Sequence, residues 1–352
     1  MKIFHVRKKR GFAVIIALVA VTVLTLLAGA FAYAMKIETR LAANTNDDEQ
    51  FYWIGRGGVE RACWWLAVEG NQPFSSKLQY WNHGPGDGPE TNSCLAGESL
   101  DNFPIAGGTV SLAFTELEGK ININTADAPL LQQPLTTMDA DANDISTVPD
   151  AILDWIDPDD ATRPAGAESD YYLGLTPSYN AKNAPIDNID ELTLIKGITH
   201  DMFVGGSSAE SKTPFPEHKL GFGHAPGQAP DYAFGLRDVF TPFSSGSINI
   251  LTADEKVLSL IPGMDTAAVQ AIETARDSEP PIRNLPQLLA VAGVNGSANP
   301  AVAANITRYM GVQGSTYEVH ATATIGQLSH EYTAIVFRSG PNVTVYSFYR
   351  SK

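Results

Sequence analysis

The sequence predicts an α+β protein in which a long N-terminal helix packs on a small antiparallel sheet, and the sheet is interrupted by a large all-α insertion. Three observations predict this fold. An apolar stretch near the N-terminus has the length of a transmembrane helix, four segments with strand character lie at 108–116 and within 316–350, and the residues between them carry helical signals and an internal repeat. The chain has 352 residues, enough for two or three folding units.

The first element is a 24-residue stretch without a charged residue, from Phe12 to Met35. At about 1.5 Å of rise per residue, this helix can cross a hydrocarbon core about 30 Å thick. Five basic residues lie in the first ten positions, so the positive-inside rule predicts a cytoplasmic N-terminus and an extracytoplasmic body. We therefore expect a single-pass membrane protein.

Three interpretations of this N-terminus are open. It is an uncleaved anchor, or it is a secretory signal peptide cleaved at Ala28-Gly29-Ala30, although its apolar core exceeds the usual length of about 7 to 15 residues. The third interpretation follows from the basic leader that ends at Gly11 and Phe12. This junction resembles the prepilin peptidase site of type IV pilins and type II secretion pseudopilins. The resemblance implies that residues 1–11 are a cleaved leader and that Phe12 becomes the N-methylated first residue.

The fifth residue after this junction is Ile16, where most members of those families have Glu. In a filament that Glu is thought to pair with the N-terminus of a neighbouring subunit, and an unpaired carboxylate at membrane depth costs about 3 kcal/mol or more. A subunit with nothing above it is therefore better without the charge. Its absence resembles one minor pseudopilin family of the type II secretion system, general secretion pathway protein K.

Residues 36–117 are expected to hold the extracytoplasmic continuation of the helix and the first part of the pseudopilin domain. The spacing of Asn46 and Glu49 is that of a capping box, which predicts a break or a new cap in the helix near Asn46. Trp64 and Trp65 are predicted to be buried against the sheet. The C-terminal strands, residues 312–352, complete the same domain.

The insertion, residues 118–311, contains an internal repeat. GKININTAD, which ends at Asp127, recurs as SINILTAD, which ends at Asp254. Two copies imply two similar helix-hairpin-helix-like units, at about 118–203 and 246–311. The Asp of each copy is predicted to cap the start of a helix.

The second copy resembles the paired helix-hairpin-helix of periplasmic DNA-uptake receptors, so the alternative function is a membrane-anchored DNA-binding or uptake protein. Charge argues against this alternative. Residues 246–311 contain six acidic and four basic residues, residues 117–199 contain fifteen and four, and the whole chain has a net charge of −15. Because binding to a phosphate backbone requires clustered Lys and Arg, we expect no nucleic-acid partner.

The densest chemical feature is an acidic loop in the first unit, around Pro158 and Gly166. It contains five carboxylates within fourteen residues: Asp157, Asp159, Asp160, Glu168 and Asp170. Oxygen ligands on a flexible loop suit Ca²⁺, whereas like charges this close repel one another without a cation. The spacing alone supports a calcium site and a solvated acidic loop equally.

The same region carries the most specific resemblance to the protein K family. The family motif is Asp-Trp-apolar-Asp-x-Asp, then Gly-Ala-Glu, Tyr, Asn-x-Pro-apolar and Glu-Leu. Its parts are matched by segments that begin at Asp154, Gly166, Tyr171, Asn183 and Glu191. The resemblance implies the pseudopilin fold and a structural Ca²⁺ in the inserted domain.

The resemblance also implies a function. A member of this family is a minor pseudopilin at the tip of the type II secretion pseudopilus, where it nucleates or caps the filament for protein secretion across the outer membrane. The expected partners are the minor pseudopilins I, J and H in a tip complex, the major pseudopilin, the prepilin peptidase and the inner-membrane secretion platform. The expected location is the bacterial inner membrane, with the bulk of the chain in the periplasm.

The two cysteines, Cys63 and Cys94, are a disulfide candidate. Both lie outside the membrane in the predicted topology, and an oxidising periplasm favours their pairing. Two free thiols are the alternative.

No catalytic constellation is visible in the sequence. The seven histidines lack metal-ligand spacing, and neither a Gly-x-Ser-x-Gly elbow nor a P-loop occurs. Paired carboxylates such as Asp157 and Asp159 do acid and base work in glycosidases, but no aromatic-lined cleft can be recognised around them. We therefore expect no enzymatic activity.

Overall fold

The computed structural model describes residues 11–70, 72–86, 94–95, 97–205, 232–276, 282–291, 294 and 300–351, except for the side chains of residues 11 and 40–47. Residues 1–10, most of the predicted leader, lie outside this described part of the chain.

The helices are α1 (Gly11–Glu69), α2 (Ala128–Thr137), α3 (Ala142–Ile156), α4 (Ser169–Leu173), α5 (His200–Val204), α6 (Leu236–Val239), α7 (Glu255–Ser259), α8 (Thr266–Arg276), α9 (Leu285–Leu289) and α10 (Pro300–Tyr309). The strands are β1 (Phe103–Ile105), β2 (Gly108–Glu116), β3 (Ile121–Asn122), β4 (Phe240–Thr241), β5 (Ile248–Asn249), β6 (Met310–Gly311), β7 (Thr316–Ile325), β8 (Leu328–Ser339) and β9 (Asn342–Arg350). Short 3₁₀ helices lie at Tyr80–Asn82, Leu117–Gly119 and Ile189–Leu194.

Helix α1 is continuous over 59 residues, and the break predicted near Asn46 is absent from it. Its first part, Phe12–Thr39, is long and apolar enough to cross a membrane and is not buried anywhere in the structure. In its second part, Trp65 is buried against the sheet as predicted, but Trp64 is 41% exposed. Adjacent helix positions point about 100° apart, so only one of two neighbouring tryptophans can face the sheet.

Two glycines allow α1 to lie close to the sheet. A Cβ atom at Gly55 would lie 2.4 Å from a ring carbon of Tyr332, and one at Gly58 would lie 2.7 Å from Cγ1 of Val110. No side chain fits at these positions without moving the helix away from the sheet or moving the contacting residue.

The sheet has five antiparallel strands in the order β1-β2-β7-β8-β9. The four predicted strands are confirmed, and β2 has the predicted bounds. The sequence did not reveal β1, which at three residues is too short to show alternation. Because β2 pairs directly with β7, from Thr109↔Thr324 to Glu116↔Tyr317, the residues between these strands form an insertion between neighbours in the sheet.

The insertion consists of two units, and each unit is closed by a short parallel strand pair. β3 pairs with β4 through Ile121↔Phe240, and β5 pairs with β6 through Ile248↔Met310. The prediction of an all-α insertion is therefore corrected, and the first unit extends past 203 to β4. Two-residue strands whose partners are distant in sequence leave no periodic signal, so the sequence could not indicate them.

The sequence repeat is also a repeat of conformation. Oδ1 of Asn122 accepts a hydrogen bond from the backbone N–H of Asn124 at 2.9 Å, and Oδ1 of Asn249 accepts one from Leu251 at 3.0 Å. Each Asn thus folds the chain back on itself directly after the first strand of its unit.

The predicted helix caps differ between the two copies. Asp127 caps α2, because its Oδ1 accepts a hydrogen bond from the N–H of Leu130 at 3.2 Å. Asp254 precedes α7 but makes no side-chain cap, and its Oδ1 instead lies 3.1 Å from Nζ of Lys77. The capping prediction is therefore confirmed for the first copy and wrong for the second.

A buried carboxylate joins the sheet to the insertion. Glu118 is fully buried and accepts three hydrogen bonds, from the N–H of Ser245 at 3.1 Å, from Oγ of Ser315 at 2.7 Å and from the N–H of Thr316 at 3.0 Å. Because Ser245 lies just before β5 and Thr316 begins β7, this one side chain ties the second unit to the sheet.

Glu116 lies in the same polar layer. Its Oε1 accepts a hydrogen bond from Nδ2 of Asn249 at 2.8 Å, and the same Nδ2 donates to the carbonyl oxygen of Ser75 at 2.9 Å. Burial raises the pKa of Glu116 to about 8. The last residue of β2, the first residues of the second unit and the chain after α1 therefore meet here.

Candidate metal centre

The acidic loop connects α3 to α4, and both ends are anchored in the core. Trp155, near the end of α3, packs edge to face on Tyr172 in α4 with ring centroids 5.2 Å apart. Both aromatic side chains are buried. Nε1 of Trp155 also donates a hydrogen bond to Oε2 of Glu191 at 3.4 Å, which links the Glu-Leu end of the motif to the loop.

The loop turns back onto Asp154, whose side chain is fully buried. The N–H of Arg163 donates to Oδ2 of Asp154 at 3.1 Å, and Nη1 of Arg163 donates to Oδ1 of Asp154 at 2.6 Å and to Oδ2 of Asp157 at 2.5 Å. A Cβ atom at Gly166 would lie 2.0 Å from Oδ2 of Asp154. The glycine of the Gly-Ala-Glu segment is thus required by close approach to this carboxylate.

The far side of the turn is held through its backbone. Nζ of Lys196 donates to the carbonyl oxygens of Ala165 at 3.2 Å and of Gly166 at 2.9 Å, and it lies 5.1 Å from the ring centre of Tyr171. Oδ2 of Asp150 accepts from the N–H of Ala165 at 3.1 Å. These contacts fix the backbone that leads into Glu168.

Three of the predicted ligands form a compact cluster. Asp157, Asp159 and Glu168 each offer a carboxylate oxygen, and these oxygens all lie within 4.8 Å of one another. Glu168 is only 3% exposed. Both of its carboxylate oxygens, and Oδ1 of Asp157, are buried without a hydrogen-bond partner.

This arrangement fits a hard divalent cation. Burial raises the pKa of Glu168 to about 7, and the neighbouring charges of Asp154 and Asp157 add to the shift. Buried carboxylate oxygens without partners are unfavourable unless a proton or a cation neutralises them. Convergent carboxylate oxygens are the ligands that Ca²⁺ prefers, so the residues present are compatible with the predicted ion.

The other two predicted ligands lie outside this cluster. Asp160 is exposed, and its Oδ1 accepts a hydrogen bond from Nδ2 of Asn183 at 3.0 Å. Asp170 is exposed in the first turn of α4. The structure therefore brings together Asp157, Asp159 and Glu168 but not Asp160 or Asp170.

Asn183 is a candidate ligand that was not among the predicted ones. Its Oδ1 is buried without a hydrogen-bond partner, its Nδ2 donates to the carbonyl oxygen of Asp159 at 3.2 Å, and its backbone has a φ of 48°. Its side-chain amide therefore reaches the turn that carries Asp159. The signal that could have indicated it is its place in the Asn-x-Pro segment of the motif.

The remaining predicted sites lie on or near α1. Cys63 is half-buried on the helix, Cys94 is exposed, and both are free thiols, so the predicted disulfide is not formed in this structure. Burial raises the pKa of Cys63 to about 11. Phe12 is 69% exposed, and cleavage and methylation at the junction of Gly11 and Phe12 stay predictions.

Comparison with known proteins shows which family the chain resembles. Residues 112–204, which include the second half of β2, both anchoring helices and the whole acidic loop, match the family model of type II secretion system (T2SS) protein K. Type II secretion system protein K of Aeromonas hydrophila is 24% identical over 221 residues, which cover 56% of this chain and 61% of that protein. These matches show that the chain is similar to the type II secretion system protein K family.

A second protein K, from Pectobacterium carotovorum subsp. carotovorum, is 25% identical over 116 residues, covering 29% of this chain and 35% of that protein. The matched regions thus span less than two thirds of either protein K relative. The fold agrees more widely. A chain in the crystal structure of the GspK-GspI-GspJ complex of enterotoxigenic Escherichia coli superimposes with a TM-score of 0.65 at 14% identity, covering 88% of this chain and 99% of that one.

Proposed function

We propose that this chain is a type II secretion system protein K, a minor pseudopilin at the tip of the type II secretion pseudopilus, where it nucleates or caps the filament. The observation that carries the proposal is the position of the insertion. The start of β2 faces the apolar span, because Nε2 of Gln50 on α1 donates a hydrogen bond to the carbonyl oxygen of Ala106, just before β2. The insertion leaves the sheet at Glu116, at the opposite end of β2. The bulk of the insertion therefore lies at the end of the head that is farther from the apolar span. An insertion at that end would obstruct the addition of a further subunit above this one, as expected of a subunit at the tip.

The proposed location follows from α1. The chain is anchored by Phe12–Thr39 in the bacterial inner membrane, with a cytoplasmic N-terminus and a periplasmic head. Prepilin peptidase cleaves after Gly11, and Phe12 is methylated. Supporting this processing, α1 is a single unbroken helix from Gly11, so cleavage there leaves the whole apolar span attached to the head.

The proposed partners are the proteins that build the rest of the pseudopilus. The solved complex named above contains GspK, GspI and GspJ, and one of its chains has the fold of this protein. We therefore propose assembly with the corresponding proteins I and J, and with protein H, in a tip complex. Contact with the major pseudopilin and with the inner-membrane secretion platform follows from that position.

We propose further that the acidic loop holds a structural Ca²⁺ ion. Asp157, Asp159 and Glu168 would hold it, and Asn183 offers an additional oxygen. The ion would supply the positive charge that three converging carboxylates lack, and it would tie the end of α3 to the start of α4.

Co-purification tests the tip assignment. The full chain with its leader is co-expressed with proteins I and J of the same system in a bacterium that contains prepilin peptidase, and protein J carries the affinity tag. We expect the three proteins to leave the membrane fraction as one complex, whereas an unrelated single-pass protein does not co-purify. Absence of this chain from the complex, together with normal secretion after deletion of its gene, would contradict the assignment.

A further inference from the structure

We propose that Arg163 is an internal counter-ion of the acidic loop that competes with the bound cation and sets the cation concentration at which the site fills. The inference rests on the proposed calcium site and deepens it. It names the residue that limits the affinity of the site, which is not a ligand.

Arg163 is bonded to the cluster itself. Its Nη1 lies 2.5 Å from Oδ2 of Asp157 and 2.6 Å from Oδ1 of Asp154. Asp157 is therefore shared: the guanidinium takes its Oδ2, its Oδ1 is buried without a hydrogen-bond partner, and the residue also belongs to the oxygen cluster with Glu168. A cation bound through Oδ1 and the guanidinium bound through Oδ2 would contact the same carboxylate.

Arg163 is also the basic residue on which the loop depends. It is the only Lys or Arg between Asp154 and Glu168, a segment that contains five carboxylates. Nζ of Lys182 is engaged elsewhere, at 2.8 Å from both Asp187 and Glu191. Nζ of Lys196 contacts backbone carbonyls of the turn. When no cation is bound, Arg163 therefore supplies the neutralising charge at Asp157.

Two consequences follow for cation binding. With the site empty, the arginine stabilises the loop by pairing with Asp154 and Asp157. With the site filled, the guanidinium and the cation are like charges on the two oxygens of one carboxylate, and their repulsion weakens binding. Coulomb repulsion is proportional to the charge of the cation, so the effect is greater for a trivalent ion than for a divalent one.

The dependence on cation charge separates this role from a structural one. If Arg163 only shaped the turn, its replacement would change the affinity for two cations of similar size by the same factor. If it acts through its charge, replacement tightens the binding of both cations, and more so for the trivalent ion.

The experiment uses the full chain in detergent micelles, with Tb³⁺ and Ca²⁺ as probes. Tb³⁺ luminescence is sensitised by Trp155, two residues before Asp157, and Ca²⁺ is measured by competition. We expect Arg163→Gln to tighten Ca²⁺ binding about tenfold and Tb³⁺ binding about thirtyfold, in proportion to charge. Arg163→Lys retains the charge and should stay within about threefold of the unmutated chain for both ions.

Arg163→Gln leaves the buried Asp154 without its charged partner and could prevent folding. A second pair of variants tests the inference in that event. Asp154→Asn removes that buried charge, so the single variant Asp154→Asn is compared with the double variant Asp154→Asn/Arg163→Gln. The double variant is expected to bind Ca²⁺ about tenfold and Tb³⁺ about thirtyfold more tightly than the single variant.

If loss of Arg163 changes the affinity for both cations by the same factor, or weakens binding, the proposed competition is wrong but the calcium site is unaffected. If the unmutated chain binds neither cation, the calcium site and the inference both fail. Binding without any tightening in the Gln variants overturns the inference alone.

Discussion

At the residue scale, the chain uses similar buried carboxylates in different ways. Glu118 receives three hydrogen bonds that join the insertion to the sheet. Glu116, two positions earlier, receives one from Asn249, and burial raises its pKa to about 8. Glu168 has no hydrogen-bond partner for either carboxylate oxygen, so both oxygens are available as ligands. The surroundings of each carboxylate therefore determine whether it serves as an acceptor, a neutral acid or a candidate ligand.

The raised pKa of Glu116 makes stability depend on pH. Its pKa in the folded state, about 8, lies above its ordinary value of 4.5. The stability that its proton contributes is therefore complete below pH 4.5 and is lost as the pH rises through 8. Glu116→Gln keeps a neutral side chain, so the variant should be more stable than the unmutated chain by about 4 to 5 kcal/mol near pH 8.5 and by only about 1 kcal/mol near pH 5.

Thermal unfolding of both proteins in detergent, followed by near-ultraviolet circular dichroism across this pH range, measures the difference. Glu69, whose pKa burial raises to about 7, contributes the same slope to both proteins and cancels. Glu118→Gln is the contrasting variant: each oxygen of Glu118 accepts from a backbone N–H, so the NH₂ that replaces one oxygen would face a donor, which should lower stability by about 2 kcal/mol throughout the range. A pH slope unchanged by Glu116→Gln would contradict the prediction.

The acidic loop gives a second prediction. A ligand that binds only the folded state stabilises it, and Ca²⁺ at about 100 times its Kd should contribute about 2.7 kcal/mol. Asp157→Asn or Glu168→Gln should abolish most of this stabilisation, because both side chains belong to the oxygen cluster. Asp170→Asn should leave it intact, because Asp170 lies exposed on α4 outside the cluster.

The control for this series is Asp139→Asn, an exposed carboxylate upstream of α3 whose φ of 56° an asparagine tolerates. Melting temperatures of the full chain with Ca²⁺ and with chelator provide the measurement. If the unmutated chain melts at the same temperature in both, the cluster is a solvated acidic loop. A loss of the shift in Asp170→Asn would assign the site to the five carboxylates predicted from the sequence.

At the element scale, the sequence predicted what periodicity and composition can indicate. β2 was predicted to the residue because its apolar side chains, Val110, Leu112 and Phe114, alternate with Ser111, Ala113 and Thr115, and the apolar run indicated the span within α1. The strand pairs that close the two units could not be predicted, because each involves two residues and a distant partner. The acidic loop was recognised, but the turn that selects Asp157, Asp159 and Glu168 depends on Arg163 and Gly166, whose contacts spacing does not reveal.

The contact between α1 and the sheet gives an element-scale prediction with a neighbouring control. Gly58→Ala places a Cβ atom 2.7 Å from Cγ1 of Val110, so the helix and the sheet must separate, and stability should fall by about 1 to 3 kcal/mol. Gly57→Ala, one residue earlier, places its Cβ 3.4 Å from Cδ1 of Ile105, an ordinary contact. Since Ala favours a helix over Gly by up to about 1 kcal/mol, Gly57→Ala should be neutral or stabilising. Equal melting temperatures for the two variants would contradict close packing at Gly58.

At the scale of the whole molecule, one helix connects the apolar span to both packed cores. The sheet core lies on the second part of α1, and the insertion core is joined to it through the buried layer around Glu116 and Glu118. The sheet, the second unit and the chain that follows α1 therefore meet in one buried polar layer. Because the apolar span is part of the same helix, the length of α1 that remains after processing determines whether the head stays attached to the membrane.

The last prediction concerns that processing. Because α1 is continuous from Gly11 to Glu69, cleavage after Gly11 keeps the span Phe12–Thr39, whereas cleavage after Ala30 would remove most of it and release the head. We expect intact-mass analysis of the membrane-bound protein to give a chain that begins at Phe12 and carries one added methyl group, and Gly11→Asp to retain the leader. Ala30→Leu is the matched control: it removes the small residue that signal peptidase requires and should leave processing unchanged. A soluble head that begins after Ala30, and that disappears in Ala30→Leu but persists in Gly11→Asp, would instead identify the N-terminus as an ordinary signal peptide.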